Sequence, residues 1–247
     1  MVVDRTNPVP FYAQVEESIR ESIEHGEWQV GQQIPGEMEL CELYGVSRTV
    51  IRQALNELAY KGLIQKVKGK GTFVAASKIS ENLVQELTGF YQDMTDSGRN
   101  IETFVLEQKL VPANPKVAAA LGIAQGVTVV KIDRLRYVEG EPMVLVVTYI
   151  PYAICPELIS QDFSDKSLYA FLESRGLYIV SGNRTIEAVS ANDYEANLLQ
   201  IKPGAPLLLL NSISYIADGT PLEYYHALHR GDRSKFEVKL VRKLTSA

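Results

Sequence analysis

The chain is poor in the residues that staple, ligate or export a protein. Of its 247 residues two are cysteine, three are histidine and one is tryptophan, Trp28. Cys41 and Cys155 lie far apart with no CxxC or HxxxC companion, so neither a disulfide framework nor a zinc site is expected, and a reducing compartment is. No charged-then-apolar leader opens the sequence. The longest apolar runs, around Met143 to Ile150 and Leu207 to Leu210, fall far short of the roughly 18 to 20 residues of a membrane span. The expectation is a soluble, unexported protein of the cytoplasm with no membrane partner. An overall basic excess is missing too: 25 Lys+Arg stand against 30 Asp+Glu, a net charge of −5. That excludes a wholly basic nucleic-acid coat protein but leaves room for a local basic face. With 46% hydrophobic and 22% charged residues, intrinsic disorder is excluded. At about 150 residues per domain, two domains are expected. There is no internal repeat or low-complexity tract.

Helical periodicity opens the pattern. Phe11, Val15, Ile19 and Ile23 recur every fourth residue, with Pro8 and Pro10 before them and Gly26 after, which predicts an amphipathic helix over 11–24. A short helix over 37–44 stops at Gly45. A third follows Val46, capped by Ser47, and runs to Lys61 before Gly62. Strands over 64–68 and 72–75 joined by Gly69-Lys70-Gly71 predict a hairpin. The fold expected for residues 8–76 is therefore a helical unit with a β-wing. A polar stretch at 77–83 reads as a linker. Beyond it, over 84–245, strands at 101–110, 127–138, 143–150, 184–189, 207–216, 222–230 and 236–243 alternate with helices at 83–96, 114–121, 167–174 and 192–199. Hairpin turns at Glu139-Gly140 and Asp218-Gly219 make this an α+β domain, an antiparallel sheet with helices packed on it.

The charge is segregated. Between positions 48 and 70 there are six basic residues, Arg48, Arg52, Lys61, Lys66, Lys68 and Lys70, against the single acid Glu57. Arg48 and Arg52 at i and i+4 share one side of the third helix, where a recognition helix meets base edges and phosphates, and the lysines load the hairpin. Such a face attracts phosphates by counterion release even on an acidic chain. A solvated basic surface on a protein-binding winged helix is the plainer alternative.

These residues carry a resemblance. Ile34-Pro35-Gly36-Glu37, Leu40, Tyr44-Gly45-Val46-Ser47-Arg48, Arg52-Gln53-Ala54-Leu55, Leu58, Gly62-Leu63-Ile64 and Lys68-Gly69-Lys70-Gly71-Thr72-Phe73-Val74 resemble the winged helix-turn-helix of the GntR family of bacterial transcription regulators, over about residues 8 to 75. The resemblance implies DNA contacts from Ser47, Arg48, Thr49, Arg52 and Gln53 on the recognition helix. It also implies that Glu37 positions the preceding helix and that Lys68, Gly69, Lys70 and Gly71 form the wing, with Gly69 and Lys70 in the minor groove. Gly36 stands where the family commonly has Ser, and Val50, preceded by Thr49, where it commonly has Thr. In the second domain, Arg134-Leu135-Arg136, Gly140-Glu141-Pro142, Tyr149-Ile150-Pro151, Ser167-Leu168-Tyr169, Gly219-Thr220-Pro221-Leu222-Glu223 and Arg230-Gly231-Asp232-Arg233 with Phe236 look like the effector-binding UTRA domain of the HutC branch, with a chorismate-lyase-like fold.

Strand alternation adds a physical reading. Arg134 and Arg136 face one side, a patch suited to phosphate or carboxylate, so the expected effector is a small anionic metabolite such as a sugar phosphate or organic acid. A salt-bridged pair on a solvated face is the alternative. Glu223, Tyr225, Ala227 and His229 also share a face. By resemblance Glu223 and His229 line the pocket, with Thr88, Phe90, Tyr149 and Ser167 supplying further contacts; an ordinary hydrogen-bonded histidine at a sheet edge is the alternative for His229. Val146 stands where many sugar-phosphate-binding relatives have Glu, which speaks against an amino-sugar phosphate. His226 and His229 fall on opposite faces of a strand, so no metal is expected. Ser167, His229 and Asp232 lack a nucleophile elbow, so no catalytic residue or cofactor is read. Trp28 reads as a core anchor, and Cys41 as buried in the second helix.

The reading is a DNA-binding repressor: a homodimer on a palindromic double-stranded operator, on the nucleoid when bound, answering to a small-molecule effector. A chorismate-lyase-like enzyme and a protein-binding winged-helix adaptor are the alternatives.

Overall fold

The computed structural model describes residues 3–76, 78–81, 89–164 and 166–239. The chain divides into two compact units, Met1–Lys78 and Ile79–Ala247.

The first unit is helix, helix, helix, hairpin: α1 (Phe11–Glu24), α2 (Glu37–Tyr44), α3 (Arg48–Tyr60), β1 (Ile64–Val67) and β2 (Gly71–Val74). Each boundary has a local cause. Glu39 reaches back so that its carboxylate accepts the Gly36 N–H at 2.7 Å, replacing the missing side-chain cap at the start of α2. Gly45 ends α2 in the left-handed region at φ 65°. Ser47 Oγ caps α3 by accepting from the Val50 N–H at 3.4 Å. Val15, Ile19, Leu40, Ile51, Leu55, Leu58, Ile64 and Val74 fuse the helices and hairpin into one core, with Trp28 packed on its edge. Cys41 is half-buried rather than buried: on a two-turn helix the core positions are Leu40 and Tyr44, and Cys41 falls on the flank.

The second unit is built on a six-stranded antiparallel sheet. Its strands are β4 (Ile101–Pro112), β5 (Thr128–Val138), β6 (Glu141–Pro151), β7 (Ser181–Ser190), β8 (Pro206–Tyr215) and β9 (Pro221–Arg230), in the spatial order β4-β5-β6-β9-β8-β7. The β5–β6 hairpin turns on Glu139 (φ 51°) and Gly140 (φ 76°), the two positive φ values that match the twist of the flanking strands. One sheet face carries α4 (Phe90–Asp96), a 3-10 turn (Pro156–Ser160) and α6 (Leu168–Ser174), with Met94, Leu158, Leu168 and Leu172 buried there. The other carries α5 (Pro115–Leu121) and α7 (Asp193–Leu198), packed through Val117, Leu121, Ala196 and Leu199. Asn114 and Asn192 cap α5 and α7 through their side chains.

Three elements depart from the sequence expectation. The stretch 77–83, read as a linker, contains a strand, β3 (Ile79–Glu81), which pairs in parallel with β10 (Ser234–Phe236). Three residues of Ile-Ser-Glu are too few to show a period, and the partner lies more than 150 positions away. The helix expected over 83–96 is α4, beginning only at Phe90, because Gly89 is extended (φ −71°, ψ 153°). Residues 82–88 lie outside the described part. The last strand is β10 rather than 236–243: residues 237–239 are not in a strand, and 240–243 lie outside the described residues. Among the described residues no helix is long and apolar enough to cross a membrane.

Candidate functional sites: a basic helix face and a buried arginine cavity

On the first unit the outward side of α3 presents Arg48, Thr49, Arg52, Gln53 and Asn56, all exposed, while Ile51, Ala54, Leu55 and Leu58 hold the inner side to the core. Helical periodicity forces this division, since core and solvent positions differ by half a turn. Thr49, Arg52, Gln53 and Asn56 line a shallow concavity. Val50 packs partly against the core, so the hydroxyl available to a ligand on this turn belongs to Thr49. Glu37, at the start of α2, organises the arginines. Its Oε2 accepts from Arg48 Nε at 2.7 Å, and its Oε1 lies 4.0 Å from Arg52 Nε. That hydrogen bond raises the Arg48 pKa. Both guanidinium groups keep 65% of their side-chain surface in solvent, so the carboxylate aims them without consuming their donors. Lys68, Gly69, Lys70 and Gly71 lie exposed at the hairpin tip, where Gly69 at φ 76° permits the turn closed by the Lys70 N–H on the Val67 carbonyl. Sequence reading missed Asn56. Its Oδ1 accepts from Lys66 Nζ at 2.7 Å, tying the helix to the wing; its position four residues after Arg52 was the available signal.

On the second unit a cavity of about 50 Å³ opens on the α4–α6 face of the sheet. Arg134 and Arg136 of β5, Val144, Val146 and Thr148 of β6, and Glu223, Tyr225, Ala227 and His229 of β9 form its floor. Gly89, Phe90, Ser167, Leu168 and Tyr169 form its rim. The alternation argument correctly gathered both arginines and the four β9 residues.

Tyr149, expected there from the resemblance, does not line the cavity. That ring lies on the opposite face, stacked on Tyr224 with centroids 6.1 Å apart, and its neighbour Thr148 faces the cavity. The run Met143–Ile150 is buried or half-buried on both faces and largely apolar, so its phase leaves little polar–apolar trace. Thr88 lies outside the described residues. Ser167 caps α6 by accepting the Ala170 N–H at 3.2 Å and also lines the rim. Val144, Thr148, Leu168, Tyr169, Tyr225 and Ala227 join the lining beyond the site residues expected from sequence. His226 and His229 do fall on opposite faces: His226 lines a groove on the α5–α7 side.

The cavity's electrostatics are unusual. Arg134 is 2% and Arg136 5% exposed. Arg134 Nη2 donates to Thr148 Oγ1 at 3.0 Å, and Arg136 lies over the Phe90 ring at 5.6 Å. Among the described residues, Nε and Nη1 of both arginines lack a hydrogen-bond partner. This rules out a salt-bridged pair on a solvated face. Burial pushes both pKa values down, Arg136 well down, with the charge of Arg134 adding to the effect on its neighbour. Glu223 is also buried. Its Oε2 accepts from Tyr169 Oη at 2.8 Å and Ser214 Oγ at 3.2 Å. Burial raises its pKa against those hydrogen bonds and the charge of Arg134. Buried N–H donors without acceptors cost free energy until an acceptor arrives.

A winged basic helix followed by a sheet-floored ligand cavity defines a ligand-responsive DNA-binding regulator. The profile of bacterial regulatory proteins of the gntR family matches residues 11–74, and that of the UTRA domain matches 96–235. The transcriptional repressor NagR of Bacillus subtilis is 34% identical over 96% of this chain and 97% of its own. The histidine utilization repressor of Pseudomonas putida is 30% identical over 93% and 92%. The mannosyl-D-glycerate transport/metabolism system repressor MngR of Escherichia coli is 30% identical over 95% and 97%. The crystal structure of PhnF from Mycobacterium smegmatis superposes with a TM-score of 0.67 at 28% identity, covering 93% of this chain and all of that one. The chain belongs to the HutC branch of the GntR family: it is a transcription regulator with a DNA-binding and an effector-binding domain, not an enzyme.

Proposed function

We propose that this regulator is a cytoplasmic homodimeric repressor that holds a palindromic operator through α3 and the wing, and releases it when a small anionic metabolite enters the Arg134–Arg136 cavity. The observation that carries the effector class is the buried arginine pair with four guanidinium nitrogens unpartnered among the described residues. A phosphate or carboxylate supplies the missing acceptors in a fork geometry and recovers the desolvation already spent on both side chains. Release follows from linkage: an effector that favours a conformation poor for DNA lowers operator affinity, and DNA lowers effector affinity by the same factor. The domain division for this reading is 8–76 for DNA and 84–245 for effector.

The test is a thermal-shift screen of the full chain against sugar phosphates and organic acids, since a ligand bound only by the native state raises apparent stability. A stabilising anion whose effect vanishes in Arg134→Ala and Arg136→Ala supports the proposal. Stabilisation by neutral compounds alone, unaffected by those substitutions, overturns it.

A further inference from the structure

Glu81 is completely buried, and it is the last residue of β3, the strand that begins directly after Lys78, where the first unit ends. A carboxylate is buried only where it is paired or hydrogen-bonded. Among the described residues its partner is His229, 1% exposed, whose Nδ1 lies 3.1 Å from Glu81 Oε1 and 3.0 Å from Oε2. With the carboxylate ionised, Nδ1 carries the hydrogen and donates it, and the ring is held in one tautomer and one orientation. The ring's other nitrogen, Nε2, is buried and has no hydrogen-bond partner among the described residues. His229 lines the arginine cavity, and Glu81 does not. The imidazole therefore stands between the cavity and β3, flanked edge-on by Phe90 on the rim and Phe236 of β10.

Among the described residues the β3–β10 ribbon has few other anchors, chiefly the Ser80 Oγ–H donating to Glu237 Oε2 at 2.9 Å and the packing of Phe236. It has three residues a side and stands outside the six-stranded sheet. The Ile79 N–H donates to the Arg233 carbonyl at 2.7 Å, and the Ile79 side chain packs into the same apolar cluster as the cavity residues Phe90, Val144, Val146 and Ala227. Among the described residues the two inward anchors of β3, an apolar one and a hydrogen-bonded one, are thus shared with the cavity wall. Short ribbons of few hydrogen bonds sit at the low-stability end of a structure, where occupancy of a neighbouring site shifts their opening.

We infer that Glu81, acting through His229, is the positioning residue by which the cavity reports its occupancy to β3, at the junction with the DNA-binding unit. This rests on the anion reading of the cavity: the protonated oxygen of a hydrogen phosphate held by Arg134 and Arg136 donates to the lone pair of His229 Nε2 and, by drawing electron density from the ring, strengthens the Nδ1–H donation to the Glu81 carboxylate that fixes β3.

The experiment is amide hydrogen exchange of the full chain with and without saturating inorganic phosphate, alongside calorimetry of phosphate binding. In the wild type, phosphate should slow exchange at residues 79–81 and 234–236. In Glu81→Gln, of the same shape, phosphate should still bind while the slowing at 79–81 falls severalfold. In His229→Asn, whose amide can still donate to Glu81 but is too short to replace Nε2, the response of the ribbon to phosphate should be lost, judged against the variant's own exchange without phosphate. A full response in both variants overturns the relay and leaves the anion site standing. Phosphate binding to the wild type that survives Arg136→Ala, or no binding at all, overturns the anion reading and the relay with it.

Discussion

Two pairs of arginines, each two positions or one turn apart in the chain, sit in opposite environments. Arg48 and Arg52 stand on an exposed helix with Glu37 between them. Arg134 and Arg136 lie buried on one strand with no carboxylate in salt-bridge range among the described residues. The first pair costs the fold little, because solvent and a partly screened carboxylate already satisfy it. The second is a standing expense. An exposed pair is suited to a polyanion that must be found and released along its length, a buried one to a single small anion that must be recognised.

The largest expected effect separates the two pairs by function. Arg48→Ala with Arg52→Ala should weaken specific DNA binding by roughly 30- to 20,000-fold, at about 1–3 kcal/mol per arginine. Fluorescence anisotropy with a selected operator measures it, and thermal unfolding should be unchanged. Unaltered affinity would remove α3 from the interface. Next in size, Arg136→Met should stabilise the ligand-free protein by about 1–3 kcal/mol, because an apolar side chain of similar length relieves an unpaired buried charge. At about 2–4 °C per kcal/mol for a chain of this size, differential scanning calorimetry resolves the gain. A lower Tm would mean that the guanidinium is satisfied within the fold and that the two pairs differ less than argued.

Glu223 sharpens the comparison through pH. Its pKa is raised in the folded state above the ordinary 4.5, chiefly by burial. Its contribution to stability is therefore fully present below 4.5 and is lost as pH rises through the folded value. Stability of the second unit should fall over that window, and Glu223→Gln should flatten the slope. An identical slope in the variant would assign the dependence elsewhere. The smallest effect belongs to the wing: Gly69→Ala, at φ 76°, should cost about 1 kcal/mol through the left-handed backbone alone. Chemical denaturation of the first unit's signal at Trp28 would register it.

The helices, the hairpin and most strands were legible because their causes are local: a fourfold apolar repeat on α1, Ser47 before α3, Gly45 after α2, two glycines around Lys70. The exposed basic face of α3 was legible for the same reason, since helical spacing alone sends Arg48 and Arg52 outward together. The cavity was half legible. Alternation put Arg134 with Arg136 and Glu223 with His229, each within one strand, yet the largely apolar β6 gave no phase, and the resemblance pointed to Tyr149 where Thr148 faces the cavity.

The sequence by itself thus determined which segments become helix or strand, where the basic surface lies, and which side chains within a strand share a face, because short-range sterics and periodicity decide those. Only the tertiary structure decided that the arginine pair is buried and lacks acceptors, that β6 presents Thr148, and that Glu81 leaves an apparent linker to meet His229, 148 residues away. Each of these depends on register between strands distant in the chain, and burial and charge pairing are properties of that assembly rather than of any one segment.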